Sequence, residues 1–185
     1  MKRRLLRPDE IRPLLRLRPP VLDPVERRLG QAQTIADLRS IARRHTPRAV
    51  FDYTDGAADG ELSIKRARDL FRSIEFIPSV LRDVSALDTA TRPLGRESAQ
   101  PFAFGPTGFT RLMHHAGEAA VGAVAARRQI PYALSTMGTT SVEDLAAAVP
   151  GGRLWFQLYV WKQRELSYQL IERAHRAGFE GLIVT

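Results

Sequence analysis

Cysteine is absent from the 185 residues, which excludes a disulfide scaffold, a thiolate metal site and a cysteine nucleophile. Long apolar runs are also missing. No stretch approaches the roughly 20 apolar residues of a membrane-spanning helix. Residues 1–17 are basic but have no continuous apolar centre, so they do not read as a secretory signal. The expected location is the cytoplasm, with a peripheral position at the inner face of the membrane as the alternative. Lysine is scarce: only Lys2, Lys65 and Lys162 stand among 28 basic residues, which reads as codon bias rather than selection for a ligand. There is no Walker-type loop, no G-x-G-x-x-G and no G-x-S-x-G, so nucleoside triphosphate and serine-hydrolase chemistry have no support.

Hydrophobic residues make up 44% of the chain and are evenly spread, which rules out disorder throughout. The length by itself suits one ordinary domain. The net charge of +8 becomes informative once it is located. Residues 1–48 hold 13 Lys+Arg and 5 Asp+Glu, whereas residues 49–185 hold 15 of each. The body is therefore balanced and the basicity belongs to an N-terminal arm. Such an arm can meet phosphate backbones or anionic lipid, but no aromatic residue is interleaved to stack on bases. A solvated extension is the expected state, and a nucleic-acid partner is not expected.

Pro8, Pro13, Pro19, Pro20 and Pro24 argue against a long helix in residues 1–30. Residues 1–33 read as a Pro/Arg-rich arm and 34–100 as a helical lead-in with short strands. Thr34 and Asp37 form a capping box for a helix carrying Ile35, Leu38, Ile41 and Ala42 on one face. Thr46-Pro47 starts a second helix that should fail near Gly56. A third is expected over residues 62–71, and Arg92-Pro-Leu-Gly95 reads as a turn.

From Pro101 the pattern repeats. Apolar runs at 102–106, 131–135, 154–160 and 181–185 alternate with helical stretches at 118–128, 142–148 and 165–177. Ser141 with Asp144 forms the second capping box, Pro150-Gly-Gly152 is a stop, and Gly178 sits at a left-handed cap position. Run starts 29, 23 and 27 residues apart imply parallel strands joined by helical crossovers. A doubly wound α/β sheet and a (β/α) barrel both fit. In either, ligands bind at the carboxyl ends of the strands. That rule selects Pro106-Thr107-Gly108, Ser135-Thr136, residues 157–159 and Thr185. Gly108 offers backbone amides to a flat ring, Ser135 and Gln157 can bond an amide-rich heterocycle, and Tyr159 can hold a carboxylate or hydroxyl.

Other constellations are weaker. The acidic, glycine-rich stretch from Asp52 to Glu61 misses the calcium-loop spacing. His114 and His115 are adjacent, so on a helix they would diverge by about 100° and could not share a metal; a solvated loop pair is the expected state. His45 and His175 lie in predicted helices without a carboxylate at useful spacing. No metal site is expected.

Four segments together carry a resemblance: Val50-Phe-Asp-Tyr53-Thr-Asp-Gly-Ala-Ala-Asp-Gly-Glu61, Gly105-Pro-Thr-Gly-Phe109, Ala133-Leu-Ser135 through Thr139-Thr-Ser-Val-Glu143, and Trp155-Phe-Gln-Leu-Tyr159. In this order and spacing the chain resembles, from about residue 34 to its last residue, the FMN-dependent 2-hydroxy-acid dehydrogenases and oxidases. It is most similar to their bacterial L-lactate dehydrogenase branch. The resemblance implies a TIM barrel preceded by helices, with FMN across the carboxyl ends of the strands. It implies oxidation of an L-2-hydroxy acid, L-lactate in the first instance, to the 2-keto acid. Tyr53 and Tyr159 would bind the substrate, with Tyr159 orienting it for reaction. Pro106, Thr107 and Gly108 would lie along the flavin ring, and Ser135, Gln157 and Thr185 would bond its polar edge. Gly108 stands where oxidases of the family often have alanine, which leans towards a dehydrogenase with a quinone or cytochrome acceptor. A homo-oligomer is implied for the intact protein.

A barrel of this type takes ~250 residues, and four of its eight strands are visible here. Residues 101–185 are therefore expected to be the first half of the barrel, broken at strand 4, with a separate C-terminal half as partner. The family's aspartate, lysine, histidine base and arginine clamp would follow Thr185, and no histidine here sits in the base motif. The 185-residue chain is thus expected to be inactive alone, with an apolar strand edge that favours self-association. The alternative readings are a non-catalytic half-barrel that assembles with a partner, and a basic nucleic-acid-binding module.

Overall fold

The computed structural model describes residues 21–185; most of the basic arm lies outside the described residues. The chain divides into two compact units, Met1–Phe51 and Asp52–Thr185.

In the first unit, α1 (Pro24–Gln31) starts at Asp23, whose carboxylate accepts from the Val25 and Glu26 amides. Proline at its first position suits the helix because that amide has no intrahelical partner. The predicted capping box opens α2 (Ile35–His45): Thr34 Oγ1 accepts from the Asp37 amide, and the Asp37 carboxylate accepts from the Thr34 amide. The Arg39 guanidinium lies 5.8 Å from the centre of the Phe51 ring.

Helix α3 (Arg48–Asp55) ends before Gly56, as its sequence predicts. In the second unit, α4 (Leu62–Arg72) follows, and residues 74–90 then run without helix or strand. The expected turn at Arg92 is a 3-10 turn over Pro93–Gly95, closed by an antiparallel bridge between Thr91 and Ser98.

The repeating part follows as α5 (Thr110–Met113), α6 (Gly117–Arg127), β1 (Tyr132–Ser135), α7 (Val142–Ala148), β2 (Leu154–Leu158), α8 (Arg164–Arg176) and β3 (Gly181–Val184). The strands form one parallel sheet in the order β1-β2-β3. Leu134 stands opposite Phe156, and Phe156 opposite Leu182. The apolar run at 102–106 keeps a strand's place but makes a single parallel bridge, Phe104 to Tyr132. Proline at 101 and 106 removes the amides that would extend a ladder on either side.

Helix α6 packs on β1, α8 on β2, and α7 touches both helices. Their shared core comprises Ala125, Ile130, Tyr132, Leu134, Val142, Leu145, Val149, Leu154, Phe156, Leu158, Ala174 and Phe179. Every residue of β1 is buried, as expected of a parallel strand covered on both faces. Ser141 caps α7 by accepting from the Asp144 amide at 3.0 Å, and Gly178 takes the left-handed conformation after α8, with φ 86°.

At the amino ends of β2 and β3, Arg153 and Glu180 are both largely buried and pair at 2.6 Å. Arg153 also donates to the carbonyls of Pro93, Arg96 and Glu97. Trp155 Nε1 donates to Glu180 Oε1 at 3.1 Å. This clamp ties the 3-10 turn to the sheet.

Candidate functional site

The opposite, carboxyl ends of the strands hold a row of polar side chains. Ser135 ends β1, Gln157 is the penultimate residue of β2, and Thr185 follows β3. Parallel register sets Ser135 beside Gln157, so side chains on the same face meet. Ser135 Oγ donates to Gln157 Oε1 at 3.1 Å, and Gln157 Nε2 donates to Thr185 Oγ1 at 2.6 Å. The Thr136 amide also donates to Gln157 Oε1, at 3.2 Å. These bonds fix which way the Gln157 amide faces. Gln157 is only 2% exposed, and an unpaired amide at that depth would be destabilising by about 1–3 kcal/mol. Among the described residues, no buried side-chain nitrogen or oxygen lacks a partner. The row still has capacity for a ligand: the Thr185 hydroxyl hydrogen and the second Gln157 Nε2 hydrogen are donors beyond those bonds.

Thr136 links this row to Tyr159. Its Oγ1 donates to the Gln157 carbonyl at 2.6 Å and accepts from the Tyr159 amide at 3.0 Å. The Tyr159 side chain is half exposed at the strand end. Sequence reasoning marked Thr136 as a strand-end residue but not as the group that fixes the Tyr159 backbone. Tyr53 lies on α3 with its ring largely exposed, and no bond among the described residues joins it to the row.

Pro106, Thr107 and Gly108 form an irregular segment before α5, with the first two exposed and Gly108 half-buried. A Cβ on Gly108 would lie 3.0 Å from Met137 Cβ, so the glycine allows this segment to sit against the turn after β1. The Phe109 amide donates to the Met137 carbonyl at 2.9 Å. Phe109 has φ 54°, a left-handed conformation that disfavours a non-glycine residue by about 1 kcal/mol.

The same turn is held from its other side by Glu118, on the first turn of α6 and 0% exposed. Its carboxylate accepts from the Thr139 amide at 2.6 Å, from Thr139 Oγ1 at 2.7 Å and from Thr140 Oγ1 at 2.8 Å. Burial works to raise its pKa, but these donors outweigh it and hold the carboxyl below its ordinary value. Burial, and then the Glu118 charge, push the Tyr132 phenol up. Sequence reasoning missed Glu118 and Met137. Glu118 was legible only as the start of a helix, because its partners stand 21 and 22 residues further on.

The donor set fits a flavin. The polar edge of an isoalloxazine carries carbonyl groups, and the spare hydrogens of the Gln157 amide and the Thr185 hydroxyl are donors of the kind that such carbonyls accept. His114 and His115 are not on one helix: His114 follows α5 in extended conformation, and the two rings lie 4.4 Å apart. Among the described residues no cluster of three or more His, Asp or Glu forms a candidate metal site.

Residues 42–185 match the family described as FMN-dependent dehydrogenase. A protein of Mycobacterium tuberculosis named "Putative L-lactate dehydrogenase" is 51% identical over 100% of this chain and 45% of its own length. The structure of a soluble mutant of the membrane-associated (S)-mandelate dehydrogenase from Pseudomonas putida superposes with a TM-score of 0.77. It is 35% identical, over 81% of this chain and 42% of that one. A mandelate oxidase mutant with a C4a-OH-FMN adduct gives a TM-score of 0.75 at 35% identity, covering 80% of this chain and 44% of that one. The chain thus spans under half the length of these relatives, and its parallel β/α units are part of a TIM barrel. By sequence match and fold, the chain belongs to the FMN-dependent dehydrogenase family.

Proposed function

We propose that these residues form the flavin- and substrate-facing part of an enzyme that oxidises an L-2-hydroxy acid, L-lactate in the first instance, to the 2-keto acid. The observation that carries the reading is the bonded row Ser135–Gln157–Thr185 at the carboxyl ends of three parallel strands. The identity of the M. tuberculosis relative across the whole chain supports lactate over bulkier acids.

FMN, when bound, supplies the two-electron chemistry. Gln157 and Thr185 offer donors to its polar edge, with Ser135 holding the Gln157 amide in place. Residues 106–108 provide a surface of backbone and small side chains along the ring. The Tyr159 phenol binds the substrate carboxylate or hydroxyl, held through its backbone by Thr136, and Tyr53 is the second substrate-binding phenol. None of His45, His114, His115 and His175 matches the family's base motif, so the 185 residues alone bind without turnover. The proton taken from the substrate leaves to a base outside them. A quinone or cytochrome is the proposed acceptor, a homo-oligomer the proposed assembly, and the cytoplasm or inner membrane face the proposed location. Among the described residues no helix is long and apolar enough to cross a membrane.

The test uses the longest natural polypeptide containing these residues. Anaerobic mixing with L-lactate should bleach its bound flavin, and Tyr159→Phe should slow the bleaching by about 10²-fold. Absence of bound flavin, or no bleaching by any 2-hydroxy acid, overturns the reading.

A further inference from the structure

The segment that carries Gly108 does not hold its own shape. It contains proline and glycine, makes no sheet beyond the Phe104 bridge, and ends in Phe109 with a disfavoured positive φ. Its main hold lies across a gap in sequence, where the Phe109 amide donates to Met137 O and the Arg111 amide to Thr139 Oγ1 at 3.3 Å. The turn at 136–140 is therefore a template for residues 106–109.

That template is fixed at both ends. On the strand side, the Gly138 amide donates to the Ser135 carbonyl at 2.9 Å, and a Cβ on Gly138 would come within 2.8 Å of Leu134 Cδ1. On the helix side the anchor is Glu118, through the Thr139 amide and the Thr139 and Thr140 hydroxyls. A buried carboxylate is destabilising unless its lone pairs are filled. Here they are filled by neutral donors from a single turn, so the carboxylate and the turn fix each other.

We infer that Glu118 is a positioning residue: through the 136–140 turn it sets the placement of residues 106–109, and so of the backbone at Gly108. The inference rests on the flavin reading of that segment only for its consequence in binding. Glu118 touches neither cofactor nor substrate and acts through Thr139, Met137 and Phe109. Removing the carboxylate leaves one amide and two hydroxyls without an acceptor, and the turn loses its hold on the helix side.

The experiment compares Glu118→Ala, Glu118→Gln, Thr139→Val and Thr139→Ser in the longest natural polypeptide containing these residues. Two readouts are used: hydrogen exchange at the Phe109 amide, and FMN binding followed by visible circular dichroism. At a temperature where far-ultraviolet circular dichroism shows each variant folded, Glu118→Ala and Thr139→Val should expose the Phe109 amide. Both should weaken FMN binding by about tenfold and alter the dichroism of the bound flavin. Thr139→Ser keeps the hydroxyl and should behave as wild type. If Glu118→Ala does not fold, the milder Glu118→Gln and Thr139→Val decide. Unchanged Phe109 protection in folded variants overturns the inference, as does protection lost equally in Thr139→Ser. Wild-type protein that binds no FMN overturns the flavin reading instead, and the Phe109 exchange then judges the inference alone.

Discussion

The Gln157 side-chain amide donates to the Thr185 hydroxyl at 2.6 Å, across the ends of β2 and β3. Replacing Gln157 with leucine keeps the volume but removes the acceptor for Ser135 Oγ and the Thr136 amide and the donor to Thr185. Gln157→Leu should lower stability by about 1–3 kcal/mol, read as a lower denaturation midpoint, and should abolish FMN binding. A variant that keeps flavin affinity would show that the row does not serve the cofactor.

The amino ends of the strands should respond differently. Glu180→Ala leaves the Arg153 guanidinium, at 11% exposure, without its carboxylate. Breaking one side of a buried pair typically destabilises by about 3–5 kcal/mol. Replacing both residues with apolar ones of similar volume should recover much of that loss. A denaturant series on the single and double variants measures the difference.

Two glycine substitutions should have opposite signs. A Cβ at Gly122 would sit 2.9 Å from Val149 Cγ2 and 3.2 Å from Leu145 Cδ1. Val149 is stiff at its branch point and Leu145 is 0% exposed, so crowding should outweigh the gain in helix propensity. Gly122→Ala should destabilise by about 1–2 kcal/mol. At Gly30 no atom lies within 4 Å, and Gly30→Ala should stabilise by about 0.5 kcal/mol. Thermal melts of the pair check both signs.

Glu143 accepts two bonds from the Arg173 guanidinium at 2.8 Å, and these hold its carboxyl down at about 2 against a usual 4.5. A carboxylate with a depressed folded-state pKa stabilises fully above pH 4.5, and the contribution fades as pH falls towards 2. Both side chains are half exposed, so solvent screening limits the effect to about 0.2–1 kcal/mol. Glu143→Gln should flatten the stability profile in that acid window, lowering stability by about 0.2–1 kcal/mol at neutral pH and changing it little below pH 2. A profile as steep as wild type's below pH 4.5 would show that the pair does not contribute.

Local chemistry made much of this fold legible. The Thr34–Asp37 box, the Ser141 cap and the Gly178 stop each act within four residues, so sequence alone could place them. Strand periodicity and the rule of carboxyl ends located Ser135, Gln157 and Thr185, because parallel register fixes which residues become neighbours. The run at 102–106 shows the limit: its apolar content reads as a strand, while its flanking prolines reduce it to one bridge. Glu118 and Met137 escaped for another reason. Their roles depend on partners that only the folding of α6 and β1 brings near, and a helix-start glutamate looks the same in sequence whether buried or exposed. Tyr53 came from resemblance alone, and its place on α3 gives it no bond to the row among the described residues.

The Arg153–Glu180 clamp has an evolutionary consequence. It secures the sheet at the end away from the polar row, so changes to the loops that meet ligand leave the fastening between residues 93–97 and 180 untouched. Substrate preference can then drift among descendants of one scaffold without each new loop having to rebuild the fold beneath it.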